Sequence, residues 1–180
     1  EIVIEEVTRQ ISHWIDEGYD FFVSLNISAK QFLSPDLVKM VKKWVDFYNI
    51  PPSSLAIEIT ESIMILDFNH VGKLLSELRD YGIRVFLDDF GTGYSSMSYL
   101  GKMPIDNIKI DKSFLENALT NEKEQAILHT IIHLAHDLDL FVTAEGVETR
   151  EQLEMLNGFG CDLIRATITH GHCHLNSLKK

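Results

Sequence analysis

The amino-acid sequence predicts an α/β fold in which strands and helices alternate along the chain. Short apolar runs occur at residues 21–27, 55–59, 85–87, 108–110, 141–144 and 162–164. Segments with helical periodicity occur at residues 1–14, 35–48, 69–81, 94–100, 122–138 and 150–159. This alternation is typical of βαβ units around a parallel sheet. Hydrophobic residues make up 45% of the 180 residues, which is enough for the core of one domain.

Two architectures fit this pattern, an open doubly wound sheet and a (β/α)8 barrel. No glycine-rich phosphate-binding turn follows the first predicted strand, which argues against a dinucleotide-binding sheet. A barrel normally takes about 250 residues and eight strands. A barrel built from this chain is therefore expected to be incomplete, with its first strand and helix missing.

Charge and composition narrow the function classes. The net charge of −11 argues against a nucleic-acid polymer as partner, because a negative field repels phosphodiesters. Cys161 and Cys173 are the two cysteines, which does not indicate a disulfide framework and favours a reducing compartment. No apolar run reaches the length of about 18 residues that a membrane span needs. We expect a cytoplasmic domain, whose parent protein can still be anchored to a membrane.

Polar residues recur at the carboxyl ends of the predicted strands, always on the face opposite the apolar one. These residues are Asn26, Glu58, Asp88, Lys109 and Glu145, and Asp89 follows Asp88 at the start of a loop. Side chains alternate faces along a strand, and in a barrel these second faces meet at the mouth where barrel enzymes place their active sites. Each residue alone is equally typical of a turn, a helix cap or a snorkelling edge residue. Their shared position predicts a site.

Four clustered carboxylates repel one another unless cations hold them together. Oxygen donors of this kind suit Mg²⁺ or Mn²⁺, and two such ions can clamp the attacking and leaving oxygens of a phosphodiester displacement. Lys109 can neutralise developing charge or orient a water molecule. Glu145 can serve as general base or as a further ligand. The pattern therefore predicts a divalent-metal site of a kind that can support phosphodiester displacement.

Five sequence strings occur at these strand ends and the loops that follow them: NISAKQF at 26–32, EITES at 58–62, DDFGTGYSS at 88–96, KIDKSF at 109–114 and AEGVET at 144–149. In their order and spacing they resemble the EAL domain family of bacterial cyclic di-GMP phosphodiesterases. The likeness extends from about residue 1 to residue 164. It implies a TIM-like barrel of the EAL type and hydrolysis of cyclic di-GMP to pGpG with two Mg²⁺ or Mn²⁺ ions.

The resemblance also implies roles for individual residues. It implies metal ligation by Asn26, Glu58, Asp88 and Asp89, catalytic roles for Lys109 and Glu145, and substrate contacts by Asp111 and Glu148. Glu61 matches the residue that stabilises the loop formed by DDFGTGYSS, in which Gly91 and Gly93 permit unusual backbone angles. The family further implies a homodimer, and a sensor or GGDEF domain fused upstream is an expected partner.

Two departures from the family pattern bear on activity. No EAL tripeptide occurs in the chain, although in the family its glutamate binds metal, and Arg165 stands where a glutamine on the substrate side is expected. We therefore expect the isolated chain to be inactive. The alternative is a degenerate module that binds cyclic di-GMP or dimerises without catalysis.

We divide the chain into a partial EAL domain at 1–164 and an atypical tail at 165–180. Inserting one adenine near the start of a coding sequence for this tail produces the reading QGYYYSRPLPLEQ, which resembles the usual family ending. The tail is therefore interpreted as a frameshift product. Its HGHCH string at 170–174 is interpreted as having no designed role, although histidine and cysteine are good zinc ligands. His129, His133 and His136 lie at helical spacing and are expected on a solvated or packing face.

Overall fold

The computed structural model describes residues 2–91 and 100–166 of the chain. Its helices are α1 (Ile2–Asp16), α2 (Ala29–Phe32), α3 (Leu37–Phe47), α4 (Glu61–Leu66), α5 (Phe68–Tyr81), α6 (Ser113–Glu116), α7 (Glu122–Asp137) and α8 (Arg150–Gly158). Its strands are β1 (Val23–Asn26), β2 (Leu55–Thr60), β3 (Arg84–Phe90), β4 (Asn107–Ile110), β5 (Phe141–Val147) and β6 (Leu163–Ala166). Within the described ranges these strands form one sheet in chain order, and the β1–β2, β4–β5 and β5–β6 pairs are parallel.

The described chain divides into two compact units, the first with residues 2–87 and 100–106 and the second with residues 88–91 and 107–166. In the first unit, helices α1, α3 and α5 carry apolar stripes because hydrophobic residues recur at helical spacing. Their fully buried members include Ile11, Val41 and Leu75. Every residue of β2 from Leu55 to Ile59 is buried, as expected of a central parallel strand.

Asp106 fixes the amino end of β3 in the first unit. Its carboxylate accepts hydrogen bonds from the Arg79 guanidinium at 2.9 Å and from the Val85 amide at 2.8 Å. The Asp106 amide in turn donates to the Val85 carbonyl at 2.8 Å. We call this arrangement the Asp106 latch, because it joins the end of α5, the start of β3 and the residue before β4.

Asp162 forms a similar arrangement in the second unit, which we call the Asp162 latch. Its Oδ2 accepts a hydrogen bond from the Val142 amide at 2.8 Å and lies 2.9 Å from Nε2 of His136 in α7. The Asp162 amide donates to the Val142 carbonyl at 3.2 Å. The unit's core is apolar, and Ile108 and Leu128 are among its fully buried side chains.

Several element bounds differ from the sequence-based prediction. The first strand begins at Val23, because Phe21 and Phe22 pack on other aromatic rings, Phe21 on Trp14 and Phe22 on Phe86. Strand β6 continues through Ala166, past the predicted domain boundary at residue 164. The predicted helix at 94–100 lies outside the described residues apart from Leu100, and so do residues 167–180 of the tail.

Three short helices near the strand ends, α2, α4 and α6, were not predicted. Helix α2 begins with a capping box in which Ser28 and Gln31 satisfy each other's backbone amides, and this S-x-x-Q signal is present in the sequence. Helix α4 begins at Glu61 directly after β2 and lacks a side-chain cap on Thr60, so no comparable local signal marks its start.

Candidate active site

Lys109 is the centre of an ionic cluster at the carboxyl ends of β3, β4 and β5. Its ammonium nitrogen lies 2.9 Å from Oδ1 of Asp88 and 2.9 Å from Oε1 of Glu145. The Lys109 side chain is only 7% exposed, so the two carboxylates hold its charge largely out of water. Alternation along the strands predicted that these three residues share a face, and within the second unit the structure brings them into contact.

A β-bulge follows the position of Glu145. The register between β5 and β6 shifts between Glu145 and Val147, and Gly146 between them has a φ of 69°. A Cβ at Gly146 would lie 2.6 Å from the Cβ of Lys112. Bulges of this kind re-aim side chains near active sites. Gly146 therefore allows the chain to pass Lys112 closely while Glu145 points at Lys109.

Arg165 approaches the same cluster from β6. It pairs with Glu145 in the strand register, and its Nη1 lies 3.2 Å from Oε1 of Glu145. Glu145 thus contacts two cationic side chains. One is the buried ammonium of Lys109, and the other is the guanidinium of Arg165, whose side chain is 75% exposed. The family resemblance puts Arg165 where a substrate-side glutamine is expected, and the structure gives its guanidinium this carboxylate as a partner.

Asp89 lies next to Asp88 but leaves the regular strand. Its φ of 54° is in the left-handed region, which is uncommon for residues other than glycine and recurs at functional sites. Partial burial, followed by the negative charge of Asp88 and then of Asp111, raises the pKa of the Asp89 carboxyl above its usual range, against a lowering by Lys109. Asp89 therefore shares the electrostatic surroundings of the cluster.

Asn26 and Glu58 lie side by side in the first unit. They are paired in the parallel register of β1 and β2, and the amide of Ile27 continues the ladder by donating to the Glu58 carbonyl at 3.0 Å. Glu58 is buried at 4% exposure, whereas Asn26 at the end of β1 is exposed. An amide and a carboxylate oxygen donor thus lie next to each other near the carboxyl ends of two strands, as the sequence predicted.

Asn107 and Thr143 form a polar layer that sequence reasoning did not include in the site. They precede Lys109 and Glu145 by two positions and so lie on the same strand faces. The Asn107 side-chain amide donates to the Thr143 hydroxyl at 3.0 Å, and Asn107 Oδ1 is buried without a hydrogen-bond partner. The alternation of side chains between strand faces, which identified Lys109 in the sequence, could also have identified Asn107 and Thr143.

The remaining predicted site residues have local positions. Asp111 accepts a hydrogen bond from the Ser113 amide at 3.0 Å, and hydrogen bonds from Ser113 hold the pKa of the Asp111 carboxyl below its usual range. Glu148 is exposed just before α8, and Glu61 is buried at the start of α4. Gly91 has a φ of 92°, and a Cβ there would overlap the Phe114 ring. Gly93 and the rest of the DDFGTGYSS loop lie outside the described residues.

The donor atoms fit a divalent cation in chemical type. Carboxylate and amide oxygens are the ligands that Mg²⁺ and Mn²⁺ prefer. Burial is the largest cause of the raised pKa of Asp89, and a cation would offset the second cause, the negative charges of Asp88 and Asp111. Across residues 2–91 and 100–166, no three histidine, cysteine, aspartate or glutamate side chains are arranged as metal ligands. Asp88 and Glu145 are instead turned toward the Lys109 ammonium.

Parallel strand pairs with an ionic cluster at their carboxyl ends are typical of barrel-type α/β domains. A family model described as the EAL domain matches residues 1–165. The chain therefore belongs to the EAL domain family, and the predicted family and fold class, an incomplete TIM-like barrel of the EAL type, are confirmed.

Curated relatives are much longer than this chain. The signaling protein YkoW of Bacillus subtilis is 46% identical over 160 residues, which cover 89% of this chain and 20% of YkoW. The bifunctional diguanylate cyclase/cyclic di-GMP phosphodiesterase MucR of Pseudomonas aeruginosa is 37% identical over 166 residues, which cover 92% of this chain and 24% of MucR. The chain thus spans about a fifth to a quarter of these relatives.

Solved structures show the same fold. A complex of the PaMucR phosphodiesterase with c-di-GMP superposes with a TM-score of 0.85 at 36% identity, covering 91% of this chain and 67% of that one. A manganese and cyclic di-GMP complex of Klebsiella pneumoniae BlrP1 gives a TM-score of 0.78 at 29% identity, covering 88% of this chain and 40% of that one. Members of the family thus bind cyclic di-GMP and a divalent metal. In the described part of this chain, no helix is long and apolar enough to cross a membrane.

Proposed function

We propose that this chain supplies most of a site that hydrolyses cyclic di-GMP to linear pGpG. The observation that carries the proposal is the buried Lys109 ammonium, held 2.9 Å from both Asp88 and Glu145 at the ends of neighbouring strands. Preorganised positive charge of this kind stabilises the charge that develops on a phosphoryl group during displacement. The cyclic di-GMP phosphodiesterases among the relatives support the choice of substrate.

Asn26, Glu58, Asp88 and Asp89 are the residues proposed to hold Mg²⁺ or Mn²⁺, with two ions in the intact site. When bound, the ions supply Lewis-acid activation of the phosphodiester and lower the pKa of a coordinated water. Among the solved structures, the manganese and cyclic di-GMP complex of BlrP1 supports this assignment. The ions also reduce the repulsion that raises the pKa of Asp89.

Lys109 and Glu145 divide the remaining chemistry. Glu145 accepts a proton from the attacking water as the new P–O bond forms. The P–O3′ bond breaks, and the O3′ alkoxide takes a proton from solvent to give pGpG. Lys109 holds Asp88 and Glu145 in place through its two ion pairs, and it faces the negative charge that develops on the phosphoryl oxygens.

The 180 residues on their own are proposed to turn over substrate poorly. They contain no EAL tripeptide, and the resemblance assigns that glutamate to the metal site. Removing a metal ligand weakens a site by more than removing its supporting partners, which itself costs about 10- to 100-fold.

A second function, binding without cleavage, has one observation in its favour. Arg165 lies 3.2 Å from Glu145, the proposed base, and neutralises part of its charge. A base held by two cations is a weaker proton acceptor. On this alternative the chain binds cyclic di-GMP, or contributes to a homodimer, without hydrolysing it.

The test uses two forms of the protein with cyclic di-GMP and Mn²⁺. The 180-residue chain is assayed for binding by calorimetry and for pGpG release by chromatography, and we expect weak binding and little turnover. A chimera then joins the preceding part of the MucR EAL domain to residue 1. We expect this chimera to release pGpG, and Lys109→Ala to lower its rate by at least about 100-fold.

Lys123→Ala is the matched control, because Lys123 lies exposed in the first turn of α7. A chimera that binds cyclic di-GMP but releases no pGpG would favour the binding module. A chimera that neither binds nor hydrolyses the nucleotide, or equal rates for Lys109→Ala and Lys123→Ala, would refute the proposal. Robust turnover by the 180-residue chain would refute only the expected weakness of that form.

Two partner assignments belong to the same proposal. A homodimer is proposed from the family resemblance, and light scattering over a concentration series would detect it. A sensor or GGDEF domain upstream is proposed because MucR is named as both a cyclase and a phosphodiesterase. Sequencing upstream of the codon for residue 1 would reveal such a domain.

A further inference from the structure

Helix α7 carries a pair of histidines that the proposed active site does not use. His129 and His133 are four residues apart, so they lie on the same helix face, and both side chains are exposed. Their Nε2 atoms lie 3.1 Å apart, at hydrogen-bond distance. The sequence predicted a solvated or packing face here, and on that face the structure brings the two imidazole nitrogens together.

This separation matches two ligands of one metal ion. At a metal–nitrogen distance of about 2.0–2.1 Å, neighbouring nitrogens are about 2.9 Å apart in square-planar geometry and about 3.4 Å apart in tetrahedral geometry. The observed 3.1 Å lies between these values. An ion that replaces the hydrogen bond between the two rings would therefore require little change in the separation of the nitrogens, with water molecules completing the coordination.

The His129 ring is held in this orientation by a second element. It packs edge-on against Phe159, just after α8, with ring centroids 4.7 Å apart. Such a contact reduces the rotamer entropy that the side chain loses on binding a ligand. The nearby His136 is engaged elsewhere, at 2.9 Å from Asp162, so the pair stands apart from the Asp162 latch.

We propose that His129 and His133 form a surface site for a first-row transition-metal ion of the Cu²⁺, Ni²⁺ or Zn²⁺ class. Imidazole nitrogen suits these ions, whereas Mg²⁺ prefers oxygen ligands. The site is thus chemically distinct from the oxygen-donor site proposed at the strand ends. It needs no residue of that site and holds whether or not the chain hydrolyses cyclic di-GMP.

Zinc titration followed by the histidine ring signals in nuclear magnetic resonance tests the proposal at near-neutral pH. The protein is the full chain carrying His170→Ala, His172→Ala, Cys173→Ser and His174→Ala, because those side chains are themselves zinc ligands by type. The ring signals of His129 and His133 should shift together, and excess Mg²⁺ should not reverse the shift. His136→Ala should leave the zinc affinity unchanged.

His129→Ala should weaken the zinc response of His133 on the order of tenfold to a hundredfold, since a site loses at least that much when a ligand's support is removed. His133→Gln should weaken the response of His129 equally, and far-ultraviolet circular dichroism checks that both variants remain folded. Absence of any shift at the two rings, or an unchanged affinity at His133 in His129→Ala, would overturn the proposal.

Discussion

Asp89 combines two properties that stability alone does not favour, a left-handed backbone and a carboxylate surrounded by like charges. Its φ is 54°, and burial together with Asp88 and Asp111 raises its pKa. Backbone strain and clustered like charges are common at functional sites, where a bound ligand offsets their energetic cost. Both properties support the proposed role of Asp89 as a metal ligand.

We predict that Asp89→Asn stabilises the chain at pH 7 in the presence of a chelator, by less than about 1 kcal/mol because Asp89 is partly solvated. The pKa of Asp89 is raised above 3.8 in the folded state, so protonation favours folding. The stability that Asp89 contributes is complete below pH 3.8 and is lost as the pH rises through the folded-state value. The gain in Asp89→Asn should therefore vanish in acid, and asparagine tolerates the positive φ.

Urea unfolding at several pH values measures this difference. Asp111→Asn is the matched comparison with the opposite sign, because Ser113 lowers the pKa of Asp111. Its carboxylate contributes stability above the unfolded-state pKa, and that stability disappears as the pH falls through the folded-state value. A less stable Asp89→Asn protein at pH 7 would contradict the electrostatic interpretation of Asp89.

Arg165 is predicted to compete with a divalent cation for the charge of Glu145. Arg165→Gln should tighten Mn²⁺ binding by about two- to fivefold, corresponding to about 0.5–1 kcal/mol for an exposed guanidinium. Arg150→Gln provides the control, since Arg150 is equally exposed and contacts Glu154 within α8 at 2.8 Å. Calorimetric titration with Mn²⁺ decides the question, and equal affinities in the two variants would remove Arg165 from the site.

The contact between Lys109 and Glu145 could be anticipated, because side chains alternate faces along a strand and both residues lie near the carboxyl ends of neighbouring strands. The partner of Arg165 could not, because the contact depends on the register of β6 against β5, which pairs residues 20 positions apart. Asp89 was expected beside Asp88, but its backbone angle was not, since aspartate adopts both common and left-handed conformations. Residues that act through tertiary contacts leave little trace in local sequence.

Strand β5 shows how one glycine positions a functional side chain. Gly146 forms the bulge after Glu145 and passes within contact distance of Lys112. We predict that Gly146→Ala lowers the free energy of unfolding by about 2–3 kcal/mol, from a strained φ and a steric overlap. Chemical denaturation gives the value, and manganese affinity should fall as Glu145 is displaced.

Gly72→Ala is the matched control for that substitution. Gly72 lies inside α5, and a Cβ there meets nothing within 4 Å. Alanine is favoured over glycine in a helix interior, so this variant should be more stable by about 0.5–1 kcal/mol. If Gly146→Ala and Gly72→Ala changed stability in the same direction, the bulge would not depend on glycine.

The elements themselves were largely predictable, and the exceptions have local causes. Apolar runs identified the strands because parallel strands such as β2 and β4 are largely buried. Helix α4 was missed because its six residues directly follow β2 without a side-chain cap, so that the apolar pattern runs on from strand into helix. The sequence-based prediction began β1 two residues too early, because Phe21 and Phe22 are apolar but pack on aromatic rings outside the sheet ladder.

The net charge of −11 gives a prediction for the entire chain. MgCl2 or MnCl2 should raise the thermal midpoint more than NaCl of equal ionic strength, because specific binding adds to general screening. Each kcal/mol gained by binding corresponds to about 2–4 °C for a chain of this size. Differential scanning fluorimetry measures the shift, and Asp88→Asn should remove most of the excess over NaCl. An equal response to NaCl would indicate screening alone.

The Asp106 and Asp162 latches bear on how such a domain can diverge over evolutionary time. Each holds the amino end of a strand, at Val85 in one unit and at Val142 in the other, through side-chain and main-chain bonds. The ionic cluster lies at the opposite ends of those strands, in Asp88 and Glu145. Substitutions of the cluster side chains therefore need not disturb the amino ends that set strand register, and a domain with the proposed activity that lost hydrolysis in this way would keep its fold and remain available as a receptor for its nucleotide.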